Sequence, residues 1–219
     1  MVAVSVAGVQ VLVGWAAPDP ADLDRLPAGD PVLPRLRRLA RPADAARSAT
    51  VRRVAAEVLA VATGSGVVGS GVIGQRCVRC GADDHGRPVV VGPVGWSVSL
   101  AHADAWCLAA VAPRPVGVDV ESVAVLAGLD RSGALLSMAT RFTDADDRAR
   151  WAGAPTEERV AGIGAAWVAF EARAKLDGRG LHRRPDEHPP AAPTLALDVG
   201  AGAYAAVAVL PDGAVPSTW

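Results

Sequence analysis

Valine recurs at alternate positions through the opening MVAVSVAGVQVLVGWAA, which predicts one or two core strands. Residues 30–62 then change period. Leu36, Leu39, Val51, Val54, Val58 and Val61 recur at helical spacing among alanines and arginines. This predicts a helical segment interrupted at Pro42, capped by Asp44 and stopped by Gly64. Glycine-rich sequence over 64–74 predicts a loop, as does the region around the GRP at 86–88. VGWSVSL (94–100) and AWCLAAVA (105–112) are strand-like. VGVDVE (116–121) alternates Val116, Val118 and Val120 with Gly117, Asp119 and Glu121, so a strand there puts both carboxylates on one face. A second helical stretch is predicted over 145–177, clearest from 165, with Gly178 and Gly180 as stop signals. A Pro-rich, charged stretch at 183–193 predicts a surface loop, and TLALDVG and AYAAVAVL predict closing strands. The order is that of an α+β protein with two halves of strands, helix and strands, 1–113 and 114–219.

Charge narrows the function classes. Lys and Arg (22) nearly balance Asp and Glu (23), for a net charge of −1. A general binder of nucleic acid or membrane surfaces carries a basic excess that this chain lacks. The apolar opening is not expected to be a signal peptide, because the first basic residue is Arg25. No uninterrupted apolar run approaches the ~18 residues of a membrane span, so a cytoplasmic protein is expected. Three cysteines make no disulfide framework. Cys77 and Cys80 form a CxxC with His85 close behind, but with no second pair the sequence favours a loop with free thiols over a zinc site.

Asp119 and Glu121 are oxygen ligands suited to a hard cation such as magnesium, which takes one or two carboxylates together with substrate phosphates. In WVAFEARAKLDGRGL (167–181), Glu171 and Lys175 stand four residues apart and share a helix face. An i,i+4 surface ion pair is the plain reading of that spacing. A carboxylate and an ammonium aimed together at a metal–phosphate site would instead complete a phosphoryl-transfer centre.

VSLAHA (98–103), GVDVE (117–121) and WVAFEARAKLDGRGL, in that order, resemble the motifs of the Sfp-type 4'-phosphopantetheinyl transferase family. The similarity extends to RLRRLARPADAARS (35–48), to the CxxCG…HGRP segment (77–88) and to GAYAAVAV (202–209). The resemblance implies a pseudo-twofold pair of similar α+β subdomains with the active site in the cleft between them. It implies transfer of 4'-phosphopantetheine from coenzyme A to a serine of an acyl or peptidyl carrier protein, releasing 3',5'-ADP. Asp119, Glu121 and Glu171 would bind magnesium, with manganese as an alternative, and Glu171 would be the base for the carrier serine. Lys175 would contact the coenzyme A phosphates. His102 and Arg47 would hold phosphate near the adenosine end, and Arg87 and Arg35 match further nucleotide-contacting basic positions. A chain that forms its own cleft is expected to act as a monomer. Arg35, Arg37 and Arg38 would offer a basic surface to acidic carriers.

Two positions depart from the family pattern. Phe170 stands where the family has a lysine beside the helix glutamate, and Ala101 stands where a serine precedes the histidine. Losing a charge-assisted phosphate contact costs about 1.5–3 kcal/mol. Phe170 therefore supports a rival reading, a degenerate homologue that binds coenzyme A or a carrier without transfer. An unrelated magnesium phosphotransferase is the third reading, and it lacks a P-loop or kinase signature.

Overall fold

The computed structural model describes residues 1–65, 72–92, 94–180 and 187–211. Residues 66–71 of the glycine-rich stretch and 183–186 of the Pro-rich stretch lie outside these. β1 (Val2–Val6) and β2 (Val9–Ala16) are two strands where the valine alternation predicts one or two, and they pair as a hairpin turning at Ala7 and Gly8, both with positive φ. They continue into a four-stranded antiparallel sheet of order β1-β2-β6-β5, with β5 at Ser97–Ala103 and β6 at Trp106–Ala112. A second antiparallel sheet has the order β7-β9-β8, from β7 (Val116–Ser122), β8 (Thr194–Leu197) and β9 (Ala203–Val209). β3 (Ile73–Arg76) and β4 (Arg87–Val90) pair as a separate hairpin, so Arg87 begins a strand where a loop was expected.

The short helices α1 (Asp22–Arg25) and α2 (Leu33–Leu36) precede the long α3 (Pro42–Thr63). Pro42 starts this helix instead of interrupting it, because a first-turn N–H has no intrahelical partner to lose. Asp44 is therefore not the cap. Arg41 holds that position, and Asp44 lies in the first turn, paired with Arg47. Gly64, at φ 63°, ends the helix as expected. The predicted 145–177 helix is two helices, α6 (Ala145–Ala152) and α7 (Thr156–Ala174), separated by Gly153, Ala154 and Pro155. α4 (Val123–Arg131) and α5 (Ala134–Ala139) occupy a stretch in which no element was anticipated. None of the described helices is long and apolar enough to cross a membrane.

The result is a mixed fold of antiparallel sheets and helices, layered by strand alternation. In β6, Leu108, Ala110 and Ala112 face a core shared with Val116, Val118 and Val120 of β7 and with Ala205, Val207 and Val209 of β9. The intervening Ala109 and Val111 face Val54, Ala55, Val58 and Leu59 of α3. Ala206 and Ala208 of β9 likewise face Val168, Ala172 and Leu176 of α7. Strands covered on both faces need apolar side chains at every position, which is why CLAAVA and AAVAV do not alternate.

The two sheets meet edge to edge at β5 and β7. Side chains stitch this seam: Val118 N–H donates to Ser99 Oγ at 3.0 Å, and Val116 N–H donates to Ser97 Oγ at 3.3 Å. Ser99 is buried. An unmet buried amide costs about 1–3 kcal/mol, so the serine hydroxyls are part of what joins the sheets.

Candidate functional site

The seam opens into a cleft of about 1130 Å³ lined from both sides of the 113/114 boundary, by residues of α2, α3, β3, β4, β5 and β7 and of the turn after α7. Among its lining residues are Arg35, Arg52, Arg79, Arg87, Lys175 and Arg179, against two carboxylates, Asp119 and Glu187. The chain as a whole carries a net charge of −1. Positive charge is therefore gathered into this cleft, as a site for a polyanion requires.

Asp119 and Lys175 form the wall at the seam. The Lys175 ammonium donates to Asp119 Oδ1 at 2.7 Å, to the Val118 carbonyl at 2.8 Å and to the Leu100 carbonyl at 3.3 Å. It thus clasps β5, β7 and the end of α7 together, using all three of its protons. The contact depends on Gly117. A Cβ there would lie 1.9 Å from the Ala172 carbonyl oxygen, so only glycine lets α7 lie this close on β7.

Glu121 and Glu171 stand beside this pair, outside the cleft lining. Glu121 is half-buried, and Oε1 accepts from the Ser122 N–H at 2.8 Å. Glu171 is buried on the inner face of α7. The three carboxylates sense one another. Burial raises the pKa of Asp119, partly offset by Lys175. Burial raises Glu121, and the charges of Asp119 and of Asp104 in the β5–β6 turn add to it. Glu171 is pushed up to about 7, first by burial and then by Asp119, with Glu121 adding to it. Their ligand oxygens do not all fall within 4.8 Å of one another. They form a largely buried, mutually repelling group with one ammonium beside it, a donor set of the hard-oxygen kind that suits magnesium or manganese.

Of the other predicted residues, Arg35, Arg87 and His102 line the cleft and Arg47 does not. His102 projects from β5; crowding by protein and the charges of Arg47 and Lys175 lower its pKa. Arg47 pairs with Asp44 and donates to the Asp104 carbonyl at 3.5 Å. Arg87 donates to Ser97 Oγ at 3.2 Å, which places it at the seam beside Gly178. Arg52 escaped the sequence reading. It looks like one more helix arginine, yet it is buried in the cleft wall and donates to the Ile73 carbonyl at 3.1 Å.

The two departures from the family motifs sit differently. Ala101 is buried on β5 and lines the cleft. Phe170 turns away from it and packs with Phe142 and Trp167, at ring-centroid distances of 5.7 and 6.1 Å. At the far edge of the cleft, the ligand atoms of Cys77, Cys80 and His85 all lie within 4.8 Å of one another. None of the three cysteines is in a disulfide, and the loop gathers two of them with the histidine.

No protein-family profile matches the chain. A 4'-phosphopantetheinyl transferase, psf-1 of Bacillus pumilus, is 30% identical to it over 99 residues. The match covers 45% of this chain and 39% of that relative, less than two thirds of the relative's length.

Proposed function

We propose that this chain is a 4'-phosphopantetheinyl transferase that moves the phosphopantetheine arm of coenzyme A onto a serine of an acyl or peptidyl carrier protein. The observation that carries the reading is the Asp119–Lys175 pair in the wall of a cleft lined by arginines, with the carboxylates of Glu121 and Glu171 beside it. The partial similarity to a named transferase supports it. In this reading 1–113 and 114–219 are the two halves of a pseudo-twofold α+β fold, and the chain works as a cytoplasmic monomer.

Asp119, Glu121 and Glu171 would hold the divalent ion, which when bound offsets the charge of the pyrophosphate as it is cleaved. Arg35, Arg87 and His102 bind the nucleotide phosphates from the cleft wall, and Arg47 acts from behind His102. Lys175 holds the seam and presents its charge to the pyrophosphate. Glu171 accepts the proton of the carrier serine as its oxygen attacks the phosphorus that bears pantetheine. The bond to the other phosphate breaks and 3',5'-ADP departs. No covalent enzyme intermediate is involved. The exposed Arg37 and Arg38 lie beside Arg35 and offer an acidic carrier its landing surface.

The test is the intact mass of an apo carrier protein incubated with the chain, coenzyme A and magnesium. A phosphopantetheine mass gain that requires both the metal and Glu171 is expected. No gain across a panel of carriers would overturn the reading in favour of a homologue that binds without transfer. Phe170 is the residue that favours this second reading, and its packing sets a further expectation. Phe170→Lys would place an ammonium in the aromatic cluster with Phe142 and Trp167. It is expected to cost roughly 2 kcal/mol of stability without raising the transfer rate, as read by urea unfolding and the same mass assay. A large rate gain would mean that one missing cation had limited the site.

A further inference from the structure

The loop between β3 and β4 brings together two sulfurs and an imidazole that the transfer reaction does not use. Cys80 Sγ lies 3.4 Å from His85 Nε2. Zinc bonds of about 2.3 Å to sulfur and about 2.0 Å to nitrogen, at the tetrahedral angle, separate two such donors by about 3.5 Å. The spacing is already that of two ligands on one ion. Cys77 Sγ completes the trio within 4.8 Å.

The backbone is shaped for the same purpose. The Gly81 N–H closes the turn onto the Cys77 carbonyl at 2.9 Å, with Gly81 at φ 75°. The Cys77 N–H in turn donates to the Ala82 carbonyl at 2.8 Å. His85 is then delivered by Gly86, at φ 99°, where a Cβ would lie 2.5–2.6 Å from the backbone of Arg76 and Cys77. Only glycine lets the returning chain pass so close. The Asp84 carboxylate meets His85 Nδ1 at 2.6 Å. Such a carboxylate selects the tautomer whose Nε2 lone pair points at the sulfurs, the arrangement that orients metal-binding histidines.

We infer that Cys77, Cys80 and His85 form a binding site for a thiophilic divalent metal, zinc above all, with Asp84 orienting the histidine. The donor set is soft, two thiolates and an imidazole, and distinct from the oxygen donors of Asp119, Glu121 and Glu171. Three protein ligands leave one tetrahedral position for water at a place that borders the cleft, since Cys77 and His85 both line it. The metal ties the β3–β4 loop into one shape, and that loop runs directly into Gly86 and Arg87. Its effect is to hold Arg87 at the cleft wall.

The full-length chain, purified under reductant and stripped with chelator, is titrated with Co²⁺ and then Zn²⁺. One equivalent of cobalt is expected, with a thiolate-to-metal charge-transfer band and the strong visible bands of a tetrahedral centre, displaced by one equivalent of zinc. Cys80→Ser, at an exposed position, is expected to abolish the charge-transfer contribution of one sulfur, and Cys80→Ser/His85→Ala to abolish stoichiometric binding. Asp84→Asn is expected to keep the spectrum and weaken affinity about 10- to 100-fold. Circular dichroism of each variant distinguishes a lost ligand from a lost fold. A chain whose thiols are all alkylatable yet which takes up no cobalt overturns the inference, and so does parental binding by the double variant. The readout is metal content and absorbance, so this result stands apart from the outcome of the transfer assay.

Discussion

Glu171→Gln is expected to slow transfer by orders of magnitude while making the metal-free chain more stable at pH 8. The two effects share one cause. Burial and the charges of Asp119 and Glu121 hold the Glu171 carboxyl at about 7, well above its ordinary 4.5. The folded chain therefore keeps a proton that the unfolded chain gives up. The stability from this group is fully present below pH 4.5 and falls as pH rises through about 7. By pH 8 the loss is about 3 kcal/mol. Glutamine keeps the shape and cannot ionise, so the variant should match the parent at low pH and exceed it at pH 8, by urea unfolding in chelator. A slope smaller than the parent's should remain, because Asp119 and Glu121 are raised in the same direction. Magnesium should stabilise the parent more than the variant. Transfer, followed by the mass of the carrier, should fall about 10²- to 10⁴-fold, the usual contribution of a positioned general base. A variant less stable than the parent at pH 8 would mean that Glu171 is held by favourable contacts, and the electrostatic account of the site would fail.

The strand that carries Asp119 and Glu121 was legible because its valines alternate, and the helix that carries Glu171 and is capped by Lys175 because glycines follow its end. What packs against them was not legible. Ser97 and Ser99 look like the polar face of a half-exposed strand, yet their hydroxyls meet the amides of β7 across the seam. Arg52 looks like a solvated helix arginine, yet the cleft buries it. Phe170 was a missing cation by motif alone, whereas Phe142, nearly thirty residues away in sequence, gives it an aromatic neighbour. α4 begins VAVLAG, whose β-branched residues carry no helical signal; it is helical where Leu126 packs against α7, next to Gly164. The Cys77–His85 group failed the four-ligand count, but its proximity depends on one close backbone approach at Gly86 that spacing does not reveal. In each case the missing information is long-range packing, which overrides local pattern.

Gly117→Ala is expected to damage the site more than any change outside the acidic and basic residues themselves. Its added methyl would sit 1.9 Å from the Ala172 carbonyl oxygen, 2.9 Å from its carbon and 3.3 Å from Lys175 Cβ. The first two are backbone atoms of a helix and cannot rotate away, so α7 must lift from β7. Overpacking of this kind costs about 3 kcal/mol or more where no side chain can yield. The displacement also acts on chemistry. Ala172 follows Glu171 and precedes Lys175 by three residues, so lifting the helix draws the Lys175 ammonium from Asp119 and from the carbonyls of Val118 and Leu100. Transfer should therefore fall even at temperatures where the variant remains folded. Gly29→Ala supplies the control: nothing lies within 4 Å of its added methyl and its φ is not positive, so stability should be unchanged or slightly raised. Urea midpoints for the two variants, measured beside the carrier-mass assay, separate the cases. Equal midpoints would mean that α7 does not rest on Gly117. A lowered midpoint with full activity in the folded fraction would mean that the position of Lys175 against β7 does not matter to the reaction.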